Sequence, residues 1–197
     1  MDRLPVVTTA LAALLACTSC EERSAPPAER VNAVKAAKPK GPSLGAFCDS
    51  TPKTPTRFAY PKLAGMSPTH PPGAWRWINV WATWCKPCVE EMPRLQKWQA
   101  DLSRDGRKVK LLFLSIDENE QDVAAFRAKH PDLAEGPRVA DPKELAEWYR
   151  SVGLDEGAPV PIHIWVDPEG LVRCVRAGGV RDKDYASVEQ VIASAQP

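Results

Sequence analysis

Apart from Cys17 and Cys20 near the start, the 197-residue sequence has no second pair of closely spaced cysteines, no pair of histidines at close spacing and no internal repeat. The first two absences argue against a structural zinc site, which normally needs four such ligands in two clusters. His70, His130 and His163 lie far apart in the chain, so no metal and no other cofactor is expected. A strong charge of either sign is also missing. The formal net charge is +1, which gives no reason to expect a nucleic-acid partner. There is no apolar run long enough to span a bilayer as a permanent helix. The one near the start, Val6 to Ala16, is too short and follows Arg3, as in a signal peptide. Residues 21–45 contain no aromatic residue and little apolar periodicity. They read as a flexible tether rich in Ala, Pro, Lys and Glu, the rival being a short amphipathic helix over residues 29–38.

What is present centres on Trp84-Cys85-Lys86-Pro87-Cys88. Two cysteines separated by two residues can close a small disulfide ring and open it again. The residues before them, Arg76 to Trp81, read as a strand. Those after them, Val89 to about Leu102, read as a helix with Val89, Met92, Leu95, Gln96 and Leu102 on one face. Pro93 is expected to kink this helix. Cys85 thus sits where a strand runs into a helix N-terminus, whose unpaired N–H groups and partial positive charge favour a thiolate. Pro87 suits the first helical turn. Lys86 places a cation beside the sulfur, or is simply a solvated side chain. Cys85 is therefore the expected nucleophile, and Cys88, already inside the helix, the resolving thiol.

The remaining elements alternate. A leading strand is expected over Arg57 to Leu63, an apolar strand over Val109 to Ile116 and a helix over Glu120 to Lys129. A short strand at Arg138 to Ala140 and a helix opened by Asp141-Pro142 follow. A strand at Ile162 to Val166, a turn at Asp167 to Gly170 and a return strand at Leu171 to Ala177 form a hairpin before a last helix, Asp184 to Ala195. This order implies an α/β sandwich. His163 alternates with Ile162 and Ile164 and reads as a packed histidine, not a ligand.

The stretch Asn79-Val80-Trp81-Ala82-Thr83-Trp84-Cys85-Lys86-Pro87-Cys88-Val89-Glu90-Glu91-Met92-Pro93 resembles the membrane-anchored thioredoxin-like proteins of the TlpA/ResA kind. Their pattern runs roughly N-F-W-A-T-W-C-x-P-C-x-x-E-x-P, and Val80 departs from it where an aromatic is usual. The resemblance extends from about Arg57 to the C-terminus. It implies a thioredoxin-like three-layer sandwich, a central mixed sheet with a C-terminal β-hairpin flanked by helices. It implies thiol-disulfide oxidoreductase chemistry on protein thiols and disulfides, in the reductive direction, with electrons from a membrane thiol reductase. Cytochrome c maturation is one such setting. It gives Glu91 the place of the acid that modulates the cysteine pair, the alternative being a surface carboxylate beside Glu90. It makes Pro161 the cis proline opposite the cysteines, with the Val160 backbone open to a substrate strand by β-augmentation and Pro159 as the other candidate. Trp84 is expected on the docking surface and Trp81 in the core. Many cytoplasmic thioredoxins carry a buried aspartate where this chain has Asn79. Asn79 cannot ionise, so a proton leaving Cys88 needs Glu91, water or the partner. Two rival functions are a thiol peroxidase and a non-catalytic binding module of the same fold. A peroxidase is expected to have a threonine three residues before its reactive cysteine, where this chain has Ala82.

Leu14-Leu15-Ala16-Cys17 resembles a bacterial lipobox, which implies that Cys17 becomes the lipidated first residue of an extracytoplasmic, membrane-anchored lipoprotein. The rival reading is an ordinary signal with an incidental cysteine, and Cys20 is a weaker candidate for lipidation. The expected organisation is a signal peptide over 1–16, an anchor and tether over 17–46 and a thioredoxin-like domain over 47–197. Outside the cytoplasm disulfides persist, and Cys48 and Cys174 are left over from the redox motif and the export signal. They are expected to pair as a structural disulfide. The alternative is two isolated thiols, or Cys48 joined to Cys20.

Overall fold

The computed structural model describes residues 43–194 apart from 53, 55 and 134. The expected signal peptide, Cys17, Cys20 and most of the expected tether lie outside the described residues. Among the described residues no helix is long and apolar enough to cross a membrane.

Six strands form one mixed sheet: β1 (Leu63–Ala64), β2 (Trp75–Trp81), β3 (Val109–Ser115), β4 (Arg138–Val139), β5 (Ile162–Val166) and β6 (Val172–Ala177). Their order across the sheet is β1-β4-β3-β2-β5-β6. β2 runs parallel to β3 and antiparallel to β5, and β5 and β6 form the expected C-terminal hairpin. β2 and β5 are buried on both faces apart from a half-exposed Arg76, which is why their sequences, Trp-Arg-Trp-Ile-Asn-Val-Trp and Ile-His-Ile-Trp-Val, are dominated by aromatic and β-branched residues. The helices are α1 (Leu44–Phe47), α2 (Lys86–Arg104), α3 (Glu120–Lys129), α4 (Leu145–Ser151) and α5 (Tyr185–Ala193).

Period-two alternation divides the core between the two faces. Trp77, Trp81, Trp165 and Cys174 share one face with Met92, Leu95 and Trp98 of α2 and Val188, Val191 and Ile192 of α5. Ile78, Val80, Leu112, Leu114, Ile164 and Val175 share the other with Trp148 and Tyr149 of α4. The result is the expected three-layer sandwich.

Three elements differ from expectation. The segment 57–64 is not a continuous strand. Arg57 bridges Leu171, Phe58 N–H donates to Gly170 O, and only Leu63–Ala64 pairs with β4. Pro61 lacks the N–H that a ladder would need. The segment instead crosses the α4 face, where Trp148 Nε1 donates to Ala59 O at 2.8 Å and Phe58 packs edge-on to Trp148. Second, α2 starts at Lys86 and continues through Pro93 to Arg104. Just past its cap Asp105 it is closed by Gly106, whose φ of 77° lets Arg107 N–H reach Leu102 O at 2.9 Å. Its buried stripe is Cys88, Glu91, Met92, Leu95, Trp98 and Leu102, so the face is rotated from the one expected and takes in a carboxylate. Third, α1 is a helical turn that the periodicity does not announce.

Candidate active site around Cys85

β2 ends at Trp81, and a three-residue loop leads to Cys85, the N-cap of α2. Cys85 N–H donates to Ala82 O at 3.0 Å, and Ile116 N–H donates to Trp81 O at 2.9 Å. Asp117, 3% exposed, fixes the loop's middle. Its carboxylate accepts the Thr83 N–H at 3.0 and 3.1 Å and the Thr83 hydroxyl at 2.7 Å, while Ser115 Oγ donates to it at 2.8 Å. A carboxylate holding this many donors is a strong anchor for the residue two before the cysteine. Asp117 lies between the expected strand and the helix from Glu120, and nothing in a single sequence marks it as the loop's anchor.

Cys85 and Cys88 form a disulfide with an S–S distance of 1.99 Å. Cys88 N–H donates to Cys85 Sγ at 3.3 Å. The cap position is therefore filled by sulfur, and the orphan amides of the first turn face it. Negative charge on Cys85 Sγ, once the disulfide opens, meets a donor and the positive end of the helix dipole. Both cysteines are buried, Cys88 wholly and Cys85 with 5% exposure, so Cys85 is the less enclosed of the two. Lys86 lies in solvent, where its ammonium pairs with Glu90 Oε1 at 2.8 Å. The Glu90 carboxylate raises the Lys86 pKa above its ordinary value. Trp84, 69% exposed, stands on the surface next to Cys85, while Trp81 is wholly buried. A groove of about 580 Å³ opens beside the loop, lined in part by Thr83, Lys86, Val89, Phe126 and Lys129.

The Val160–Pro161 peptide is cis. β5 pairs with β2 so that Ile162 faces Val80, which sets Pro161 level with Trp81 at the end of β2 that feeds the cysteine loop. Gly178 N–H closes onto Pro161 O at 2.7 Å. At Gly179 a side chain would be crowded. A Cβ there would lie 3.1 Å from Glu91 Oε2 and 3.7 Å from Pro161 Cγ. Pro161, Glu91 and the segment after β6 thus converge on one point.

Glu91 is not a surface carboxylate. It is 3% exposed, while its neighbour Glu90 is open to solvent. Asn79 Nδ2 donates to Glu91 Oε1 at 3.0 Å, and Val180 N–H donates to Oε2 at 2.9 Å. His163 Nε2 lies 3.1 Å from Oε1. His163 is wholly buried, as a packed histidine should be, but it also adjoins the carboxylate, which its place between Ile162 and Ile164 does not announce. The signal that locates it is register: Asn79 and His163 are cross-strand partners.

Cys48 and Cys174 form a second disulfide, with an S–S distance of 2.03 Å and a Cα–Cα distance of 5.5 Å. It joins the residue after α1 to the middle of β6, within the core on the α2 face.

Residues 67–175 match the AhpC/TSA family. Among curated proteins, the chain is 30% identical over 107 residues to the thioredoxin-like protein YneN of Bacillus subtilis, covering 54% of this chain and 58% of that protein. It is 30% identical over 95 residues to the thiol-disulfide oxidoreductase ResA of Bacillus cereus, covering 48% and 50% respectively. The match therefore spans little more than half the length of these relatives. Among solved structures, a secreted thiol-disulfide isomerase from Corynebacterium glutamicum is 22% identical, with a TM-score of 0.49 over 61% of this chain and 72% of that one.

Proposed function

Because the chain belongs to the AhpC/TSA family and caps its longest helix with one sulfur of a cysteine pair, we propose that it is a thiol-disulfide oxidoreductase acting on proteins. The observation that carries the reading is the Cys88 N–H donated to Cys85 Sγ at the start of α2. In the reduced protein Cys85 thiolate attacks a client disulfide. A bond forms between Cys85 Sγ and one client sulfur, and the other client sulfur leaves with the electron pair and takes up a proton. Cys88 then loses its proton, with Glu91 one helical turn later as the acceptor, and attacks Cys85 Sγ. The Cys85–client bond breaks and the second client sulfur leaves with its electron pair. The client gains two electrons and the Cys85/Cys88 pair loses two. Trp84 and the Val160 backbone beside cis-Pro161 form the surface on which a client strand docks.

The protein works outside the cytoplasm, held to the membrane by lipid on Cys17, with residues up to about 46 as tether. A membrane thiol reductase returns the pair to the dithiol. Clients of the kind met in cytochrome c maturation, whose thiols must stay reduced, fit this direction. The Cys48–Cys174 disulfide suits the same compartment, where structural disulfides persist.

Insulin reduction, with dithiothreitol as the electron source, tests the activity. Cys85→Ser is expected to abolish it. Cys88→Ser is expected to accumulate a mixed disulfide through Cys85, since no resolving thiol remains. A mixed disulfide that forms through Cys88 in the Cys85→Ser protein reverses the assignment and defeats the reading. Turnover of hydrogen peroxide without insulin reduction makes the protein a peroxidase instead.

A further inference from the structure

His163 is wholly buried on β5, between two tryptophans and a carboxylate. Trp77 Nε1 donates to His163 Nδ1 at 3.2 Å. An indole nitrogen can only donate, so Nδ1 is an acceptor and the neutral ring carries its single proton on Nε2. Nε2 faces Glu91 Oε1 at 3.1 Å. The approach is off the hydrogen-bond axis, and Nε2 has no aligned partner among the described residues.

The groups around the Glu91 carboxylate come from each element packed on it. β2 supplies the Asn79 amide, β5 supplies His163, and the segment after β6 supplies the Val180 N–H. On α2 itself, Cys88 lies one turn before. Arg94, three residues on, is turned to Val180 O and Asp182. No described group in this set is an anion facing Glu91. His163 is the member whose proton position is fixed by a third residue.

We propose that His163 is a positioning residue for the release step: held in the Nε2–H form by Trp77, it orients Glu91 to accept the proton of Cys88. The inference rests on the disulfide-exchange reading above. In the mixed disulfide, the Cys88 proton passes to a Glu91 oxygen and the carboxylate's remaining lone pairs stay engaged by Asn79, Val180 N–H and His163. Cys88 Sγ bonds to Cys85 Sγ, and the client sulfur leaves with the electron pair of the broken bond. Glu91 returns the proton to solvent.

The experiment uses the reduced full chain and the symmetrical aryl disulfide 5,5′-dithiobis(2-nitrobenzoate). Attack by Cys85 releases one coloured thiolate at a rate proportional to reagent. Resolution by Cys88 releases a second at a rate independent of reagent. His163→Leu keeps the volume and removes both ring nitrogens. It is expected to slow the second release about tenfold and to move its pH profile about one unit higher, the first release being unchanged. His163→Gln, which retains a terminal N–H donor, is expected to recover most of the rate and the profile. A second release in His163→Leu with the wild-type rate and profile overturns the proposal. So does equal slowing in Leu and Gln at an unchanged profile, which marks a packing role only. If His163→Leu does not fold, Trp77→Phe decides, since it removes the donor that fixes the tautomer. An unchanged second release there is equally fatal. A wild-type protein that releases no thiolate overturns the exchange activity itself, and this inference with it.

Discussion

Removing the Cys48–Cys174 disulfide should lower stability substantially at two positions that take no part in the exchange chemistry. The two residues are 126 apart in sequence. In the chain-entropy relation, closing a loop of that length removes about 5 kcal/mol of unfolded-state freedom at 25 °C. The same relation gives only about 1.5 kcal/mol for the three-residue separation of Cys85 and Cys88, because the term grows with the logarithm of loop length. The two disulfides therefore divide the work, one constraining the chain and the other free to open at little cost to the fold. For a domain of this size 5 kcal/mol corresponds to a fall in Tm of roughly 10–20 °C, an upper figure because measured values often run below the relation. The double variant Cys48→Ala/Cys174→Ala should show that fall by circular dichroism and keep thiolate release at Cys85. Cys85→Ser should lose only a few degrees. If the double variant melts within about 3 °C of the wild type, the reasoning fails. Recovery of Cys174 as a free thiol from the oxidised protein by peptide mapping would refute it directly.

Asp117→Ala leaves the Thr83 N–H and hydroxyl without their partner, and should cost about 2–4 kcal/mol in urea unfolding while slowing attack by Cys85, whose loop it loosens. Burial pushes the Tyr149 hydroxyl up from its ordinary value of 10 to about 12. The fold therefore prefers the neutral phenol, and the contribution is complete below pH 10 and lost as pH rises from 10 towards 12. Tyr149→Phe should flatten that decline in stability without abolishing it, because Tyr60 and Tyr185 are shifted in the same direction. Cys17→Ser should move the expressed protein from the detergent phase to the aqueous phase. Unchanged partitioning removes the case for a lipid anchor.

The cysteine pair, the strand before it and the helix after it are legible because their signals are local: an apolar run, a cysteine at a helix start, a proline in the first turn. The same holds for the hairpin, where Asp167 to Gly170 separates two apolar stretches. Other features depend on which strands become neighbours, and a single sequence does not print register. Arg57 to Leu63 has the composition of a strand, yet Pro61 and the aromatic cluster at Trp148 turn it into a strap across a face. Asp117 carries no local signal until the end of β3 is placed beside the loop after β2, where it holds Thr83. Glu91 follows from the family pattern, but its burial follows from the rotation of α2's inner face to Cys88, Glu91 and Trp98.

The spacing Pro161-Ile162-His163 acquires meaning only in this register. Residues two apart on a strand share a face and stand about 6.6–6.8 Å apart along it. Cys88 and Glu91 are three apart on a helix, about 4.5 Å along its axis, and face the sheet together. β5 lies beside β2 with Ile162 opposite Val80 and His163 opposite Asn79. The strand therefore sets cis-Pro161 at the end of the site from which the cysteine loop leaves, and His163 one pleat deeper, against the Glu91 carboxylate. The proline proposed to border the client surface immediately precedes β5, two residues from His163, the proposed positioning group. A one-residue slip of β5 would turn both to the α4 side and leave Glu91 facing an apolar residue. In this register Asn79, which cannot ionise, donates its amide N–H to Glu91 Oε1 on α2.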